Sequence, residues 1–195
     1  MKLVCFGDSI TSRTEGYDRP LLTIKLASKL GEEWEVINAG VPGNNTFDAI
    51  ERIQSDVLSH SPDLVTVLFG ANDAAHHKRV QLLDYKRNLT DIVTILSPAK
   101  VILISPAPVD EKLQHARTNL VLKEYAEAVK EVSEATGSQF IDFFAKMIWV
   151  RHLSELLKGQ RNDGLHFGEL GYEYLSDEIK KEVLIYERRN GHART

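Results

Sequence analysis

The order of apolar runs and helical patterns along the chain predicts one α/β domain of three layers, α/β/α, with helices on both faces of a five-stranded parallel sheet. Two observations carry this. Five short runs rich in Val, Ile and Leu mostly lack a polar alternate face, which is how strands covered on both sides read. Between them lie stretches with helical spacing, long enough for the right-handed crossovers that parallel neighbours require.

The elements follow in order. KLVCF (2–6) is the first strand, WEVINAG (34–40) the second and DLVTVLFG (63–70) the third; VILISP (101–106) and SQFIDF (138–143) complete the sheet. Residues 21–31 form a helical pattern that ends on Gly31, a suitable residue just past a helix end. The next opens on Thr46 and stops before Ser61-Pro62, and residues 81–96 stop at Ser97-Pro98. Residues 117–136 end at Gly137, and 169–188 form the last helix. FFAKMIWVRHLSELL (143–157) reads either as a short amphipathic helix packed on the body or as the lining of an acyl or alcohol pocket. Residues 1–188 are expected to form the domain and 189–195 a polar C-terminal tail.

Composition removes several functions. The 195 residues, 43% apolar and 27% charged, suit one globular domain with a real core. A net charge of −4 gives no global attraction to nucleic acid or anionic membrane, and the helices mix signs instead of forming a basic stripe. No apolar run approaches the ~20 residues of a membrane span. MKLVCFGDS makes a poor signal peptide, so a cytoplasmic location is expected. The lone Cys5 lies inside an apolar run and reads as buried and inert. Oligomeric state stays open: Leu184, Ile185 and Tyr186 suit a dimer face or the core.

Ligands of open parallel sheets bind beyond the carboxyl ends of the strands, near the switch point. The polar residues at those ends are Gly7-Asp8-Ser9, Asn38-Ala39-Gly40, Gly70-Ala71-Asn72-Asp73 and SPAPVDE (105–111), joined late in the chain by Asp163-Gly164-Leu165-His166. This is an inventory for acyl transfer. A serine hydroxyl needs a base, and an imidazole titrating near neutrality supplies one. A carboxylate must hold that imidazole in the productive tautomer, and Asp163 is three residues away from His166. The developing oxyanion needs donors, for which the Ser9 N–H, the Gly40 N–H and the Asn72 side-chain amide are candidates. Singly, each has a plainer reading: Ser9 as a helix cap, Gly40 as a turn residue, Asn72 and Asp73 as a cap or Asx-turn, Asp163 as a turn former, His166 as a surface residue. Asp8 is a rival acid that reads better as a brace for its loop, and Asp142 reads as a helix cap. Ala107-Pro108-Val109 are a candidate pocket wall; Arg13, Arg19 and Asn45 are candidate polar contacts or solvated surface.

Competing motifs are missing. No G-x-x-x-x-G-K-[ST] occurs, nor G-x-G-x-x-G after the first strand, and position 11 is Thr where the G-x-S-x-G elbow needs Gly. His60, His76 and His77 lack metal-ligand spacing. The hydroxyl-rich GDSITSRTEG leaves a phosphate-cradling, flavodoxin-like binding module as a rival, for which bound flavin would be the mark.

Together FGDSIT, NAGVPGNNT, GAND and DGLHF resemble the four blocks of the SGNH, or GDSL-type, serine hydrolase family, in family order from residue 6 to 167. The departures are small: Ile10 stands where the signature has leucine, and Phe167 follows the histidine. The resemblance implies a flavodoxin-like α/β/α fold and a serine esterase with Ser9 as nucleophile, His166 as base and Asp163 as its acid. It implies Gly40, Asn72 and the Ser9 amide as oxyanion donors, with no metal or organic cofactor. LFGANDAA, YKRNLTDIV and ILISPAPVDE, with DGLHF, are further similar to the isoamyl-acetate-hydrolysing esterase branch, implying small esters, chiefly acetates, as substrates. A carbohydrate acetylesterase or acyl-thioesterase would carry the same catalytic set.

Overall fold

Five parallel strands form the sheet in the computed structural model, which describes residues 1–191: β1 (Lys2–Gly7), β2 (Glu35–Gly40), β3 (Leu64–Leu68), β4 (Val101–Ile104) and β5 (Gln139–Ile141). Their order is β2-β1-β3-β4-β5, the flavodoxin-like order. The chain moves one way from β1 to β2 and the opposite way thereafter. Right-handed crossovers therefore put the first connecting helix on one face and the next three on the other. The packing follows: α2 (Leu21–Leu30) lies against the last helix, α8 (Glu169–Arg189), while α3 (Thr46–Asp56), α4 (Leu82–Leu96) and α5 (Asn119–Thr136) pack in series. With both faces covered, Leu3, Val4, Cys5 and Phe6 are fully buried, which is why β1 has no polar side. Burial also pushes the Cys5 thiol up to about 12, leaving it an inert apolar filler.

Boundaries differ from expectation where local chemistry intervenes. The third strand ends at Leu68, and Gly70 already holds φ +124°. The helix opening on Thr46 stops at Asp56; a 3₁₀ turn over Leu58–His60 and a left-handed Ser61 complete the approach to Pro62. Arg117 lies outside α5, whose N-cap is Thr118. The stretch 143–157 divides into α6 (Phe143–Ile148) and α7 (Leu153–Leu156). Phe143, Phe144 and Met147 belong to the core, whereas Trp149 is 87% exposed. Asp142 caps α6, accepting from the Ala145 N–H at 3.0 Å.

The expected tail begins inside a helix, since α8 runs through Arg189; residues 192–195 of that expectation lie outside the described residues. Tyr186 serves the fold: its hydroxyl donates to the Asp63 carbonyl at 3.0 Å and its ring meets Trp34 edge-on. Lys25 and Lys29 on α2 engage Glu173 and Asp177 on α8, closing the first helical layer. Among the described residues no helix is long and apolar enough to cross a membrane.

Candidate active site

The stretch GDSIT turns sharply off the sheet. Asp8 caps α1 (Ser9–Ser12), its Oδ1 accepting from the Ile10 N–H at 2.9 Å. The turn is tight enough to demand glycine beneath it: a Cβ on Gly7 would lie 2.1 Å from Thr11 Oγ1 and 2.8 Å from the Leu68 carbonyl. Ser9 thus sits at the carboxyl end of β1, beside the point where the strand order reverses. Tyr172 on α8 holds the far side of the turn, donating to the Ile10 carbonyl at 2.7 Å.

The last loop brings His166 to it. Ser9 Oγ lies 2.9 Å from His166 Nε2, and His166 Nδ1 lies 2.7 Å from Asp163 Oδ2. The other oxygen of Asp163 accepts from the backbone N–H groups of Leu165 and His166 at 3.1 and 3.0 Å. One carboxylate therefore shapes the turn and orients the ring. Gly164 makes the turn possible, with φ +71° and the Asp110 carbonyl 2.7 Å from where a Cβ would stand. The loop after β4 braces this turn, the Asp110 N–H donating to the Gly164 carbonyl at 2.8 Å. Ala107, Pro108 and Val109 in the same loop are buried. Burial lowers the His166 pKa against the opposing pull of Asp163. Burial alone would raise Asp163, but the hydrogen bonds from His166 and Leu165 win and hold it below its ordinary value.

Asn72 arrives from the loop after β3. Its Nδ2 donates to the Asn44 carbonyl at 2.9 Å and to Asp8 Oδ2 at 3.2 Å, while its Oδ1 accepts from Arg117 Nη2 at 3.2 Å. Asp8 braces the loop, as expected of it; burial, with Asp73 nearby, pushes its carboxyl up to about 7. Asp73 is fully buried, and its Oδ1 receives the Thr46 N–H and hydroxyl at the start of α3. Asn45 closes a capping box with Asp48 on the same helix. Arg13 engages Glu15, and Arg19 is exposed.

Gly40 departs from expectation. Its N–H donates to Asn38 Oδ1 at 3.0 Å, so the amide is not free for an oxyanion. What requires glycine there is packing, because a Cβ would stand 2.6 Å from the Ser12 nitrogen. Immediately after it, Val41-Pro42-Gly43-Asn44 has the pattern of a type II turn, with Gly43 at φ +83° and the Asn44 N–H donating to the Val41 carbonyl at 3.3 Å. The Gly43 N–H donates to no group among the described residues, and Gly43 adjoins the Asn44 carbonyl that holds Asn72.

Two arginines escaped the sequence reading. Arg52 donates through Nη2 to the Gly7 carbonyl and through Nη1 to the Ala39 carbonyl, both at 2.8 Å, and through Nε to Asn44 Oδ1 at 2.6 Å. Its guanidinium lies 4.6 Å from the centre of the Phe6 ring. It thereby ties the carboxyl ends of β1 and β2 to each other and to the loop after β2. Arg117 is 9% exposed and donates to the Ala71 carbonyl as well as to Asn72.

Comparison with known proteins agrees with this geometry. Residues 5–174 match the GDSL-like Lipase/Acylhydrolase family. A GDSL esterase/lipase of Arabidopsis thaliana is 31% identical, over 93% of this chain and 85% of that protein. The human isoamyl acetate-hydrolyzing esterase 1 homolog is also 31% identical, over 89% of this chain and 77% of its own length. The crystal structure of a lipase/acylhydrolase from Enterococcus faecalis superposes with a TM-score of 0.83 at 35% identity, covering 93% of this chain and 94% of that one. The chain therefore belongs to the GDSL-like lipase/acylhydrolase family and is a carboxylic ester hydrolase of that type.

Proposed function

We propose that the protein hydrolyses small carboxylic esters, acetates among them, with Ser9 as nucleophile, His166 as general base and Asp163 as its orienting acid. The observation that carries this is the unbroken relay from Ser9 Oγ to His166 at 2.9 Å and from His166 to Asp163 at 2.7 Å. Ser9 Oγ attacks the ester carbonyl as His166 Nε2 takes its proton, and a C–O bond forms. The Ser9 and Gly43 N–H groups and the Asn72 amide face the oxyanion in this reading; the longer of Asn72's bonds, to Asp8, is the one an oxyanion competes for. The tetrahedral species collapses, the bond to the alcohol oxygen breaks, and His166 hands that oxygen the proton. Water, deprotonated by the same imidazole, then attacks the acyl-enzyme; the bond to Ser9 breaks, the acid leaves and Ser9 regains its proton.

Relatives named for isoamyl acetate support an acetate ester as the first substrate to try. The test is hydrolysis of p-nitrophenyl acetate by the parent and by Ser9→Ala, both checked for folding by circular dichroism. Loss of at least about 10³-fold in the variant is expected. Equal rates would remove Ser9 from the mechanism.

A further inference from the structure

Beside the catalytic residues lies a second feature with no part in the bond-making steps. The loop after β3 carries His76-His77-Lys78-Arg79, and the segment before α5 carries His115 and Arg117. The two segments are stitched together by the His76 N–H, which donates to the Ala116 carbonyl at 2.9 Å. Between them opens a cleft of about 190 Å³, lined by His76, Arg79, His115, Arg117 and Thr118 among others, with no carboxylate in its wall. Lys78, next to Arg79 in the chain, lies outside the cleft's lining and donates from Nζ to the Gly43 carbonyl at 3.4 Å. Glu124 is the one acid that reaches this group of cations within ion-pair distance among the described residues, at 3.9 Å from Arg79 and on an exposed surface.

Arg117 connects the cleft to the reaction. It has no ion-pair partner within 4.0 Å among the described residues. Nε and Nη2 are occupied by Ala71 and Asn72, while Nη1 has no hydrogen-bond partner there and is not sealed from solvent. The carboxylates of Asp8 and Asp163 offset part of its charge from the catalytic side, while Nη1 is left open to a further acceptor. In a chain of net charge −4, Lys78, Arg79 and Arg117 near the Asn72 and Gly43 donors are a local exception.

We propose that this cleft binds an anionic group, a carboxylate or phosphate, carried by the substrate away from the scissile ester. The proposal rests on the esterase reading above and narrows its substrate class to esters bearing such an anion. The cleft contributes binding and orientation; the reacting bond is still the ester at Ser9.

The test compares acetate release from three esters of one shape: 4-acetoxybenzoate, 4-acetoxyphenyl phosphate and the neutral methyl 4-acetoxybenzoate. The parent is expected to favour at least one anionic ester about tenfold in kcat/KM over the neutral one, with the phosphate and carboxylate arms telling the two anions apart. Arg79→Gln with His115→Gln, both exposed and outside the catalytic set, should cancel that preference and leave the neutral ester within about twofold. Equal kcat/KM for all three in the parent, or a preference that survives the double variant, would overturn the proposal. Calorimetric binding of 4-hydroxybenzoate against methyl 4-hydroxybenzoate to Ser9→Ala, with and without the double substitution, reads the same preference with no turnover. A chain that hydrolyses none of the esters thus still decides it. Ser9-dependent hydrolysis with no anionic advantage would cost only the cleft assignment.

Discussion

At the scale of single residues, the proposed base, His166, is tuned by where it lies. Imidazole acts as a base only when neutral, and burial has moved the His166 pKa below its ordinary 6.5. The sign follows: the ring stays neutral further into acid, so the acid limb of kcat/KM should fall below pH 6.5. A limb at or above that value would contradict the buried ring. Asp163→Asn keeps an acceptor for the two backbone N–H groups but turns a donor toward Nδ1, imposing the wrong tautomer. Turnover should drop on the order of 10³–10⁴-fold with the fold retained, and unchanged turnover would remove Asp163 from the relay. The catalytic roles remain the proposal; that Ser9, Asp163, His166 and Asn72 would meet was legible because acyl transfer needs those types where strands end. The Gly40 amide was not, since its engagement depends on the rotamer of Asn38, which no spacing reveals. Arg117 precedes a helix cap and gave no signal at all.

Among the elements, Arg52 carries the most weight outside the relay. A carbonyl and the following N–H share one rigid plane, so holding the Gly7 and Ala39 carbonyls fixes the peptides that lead into the nucleophile turn and out of β2. Its third bond, to Asn44, steadies the residue whose carbonyl holds Asn72. Arg52 is therefore a positioning residue. Arg52→Ala should lower kcat about 10²-fold with KM within about threefold, because sub-ångström displacement of the donors acts on the transition state. Arg52→Lys should recover folding stability, read by thermal melting, but little of kcat, since a single ammonium cannot replace the fork. A raised KM at constant kcat would refute the role. The strands and long helices could be read from apolar runs and punctuation by Gly and Pro. The single-turn helix α1 could not, being made by one cap and two close approaches. Arg52 did leave a trace: it stands three residues after the buried Ala49, at the edge of the apolar stripe of α3, but an arginine there reads equally well as solvated surface.

For the molecule as a whole, α8 is the clasp. It returns across the first face, packs on α2 and reaches α1 through Tyr172. Glu173 sits between Lys25 and Lys29, and their hydrogen bonds pull its carboxyl down to about 2. A lowered acid stabilises the fold above its ordinary value of 4.5 and loses that contribution as pH falls toward 2. The network is half in solvent, which screens it, so Glu173→Gln should cost no more than about 1 kcal/mol at pH 7, or roughly 2–4 °C in Tm. The difference from the parent should shrink steadily from pH 4.5 to 3, and a constant difference would show that the charge is not what matters. The helix itself was readable from its spacing; its partner was not, since one sequence does not say which faces meet across 148 residues.

The 157 residues separating Ser9 from His166 also bear on how the chain is made. Translation delivers Ser9 157 residues before His166. A nascent chain or a clipped fragment that ends before the last loop carries Ser9 without His166. In the proposed mechanism such a chain has no proton acceptor for Ser9, and the hydrolytic centre forms only when the loop after α7 brings His166 to it.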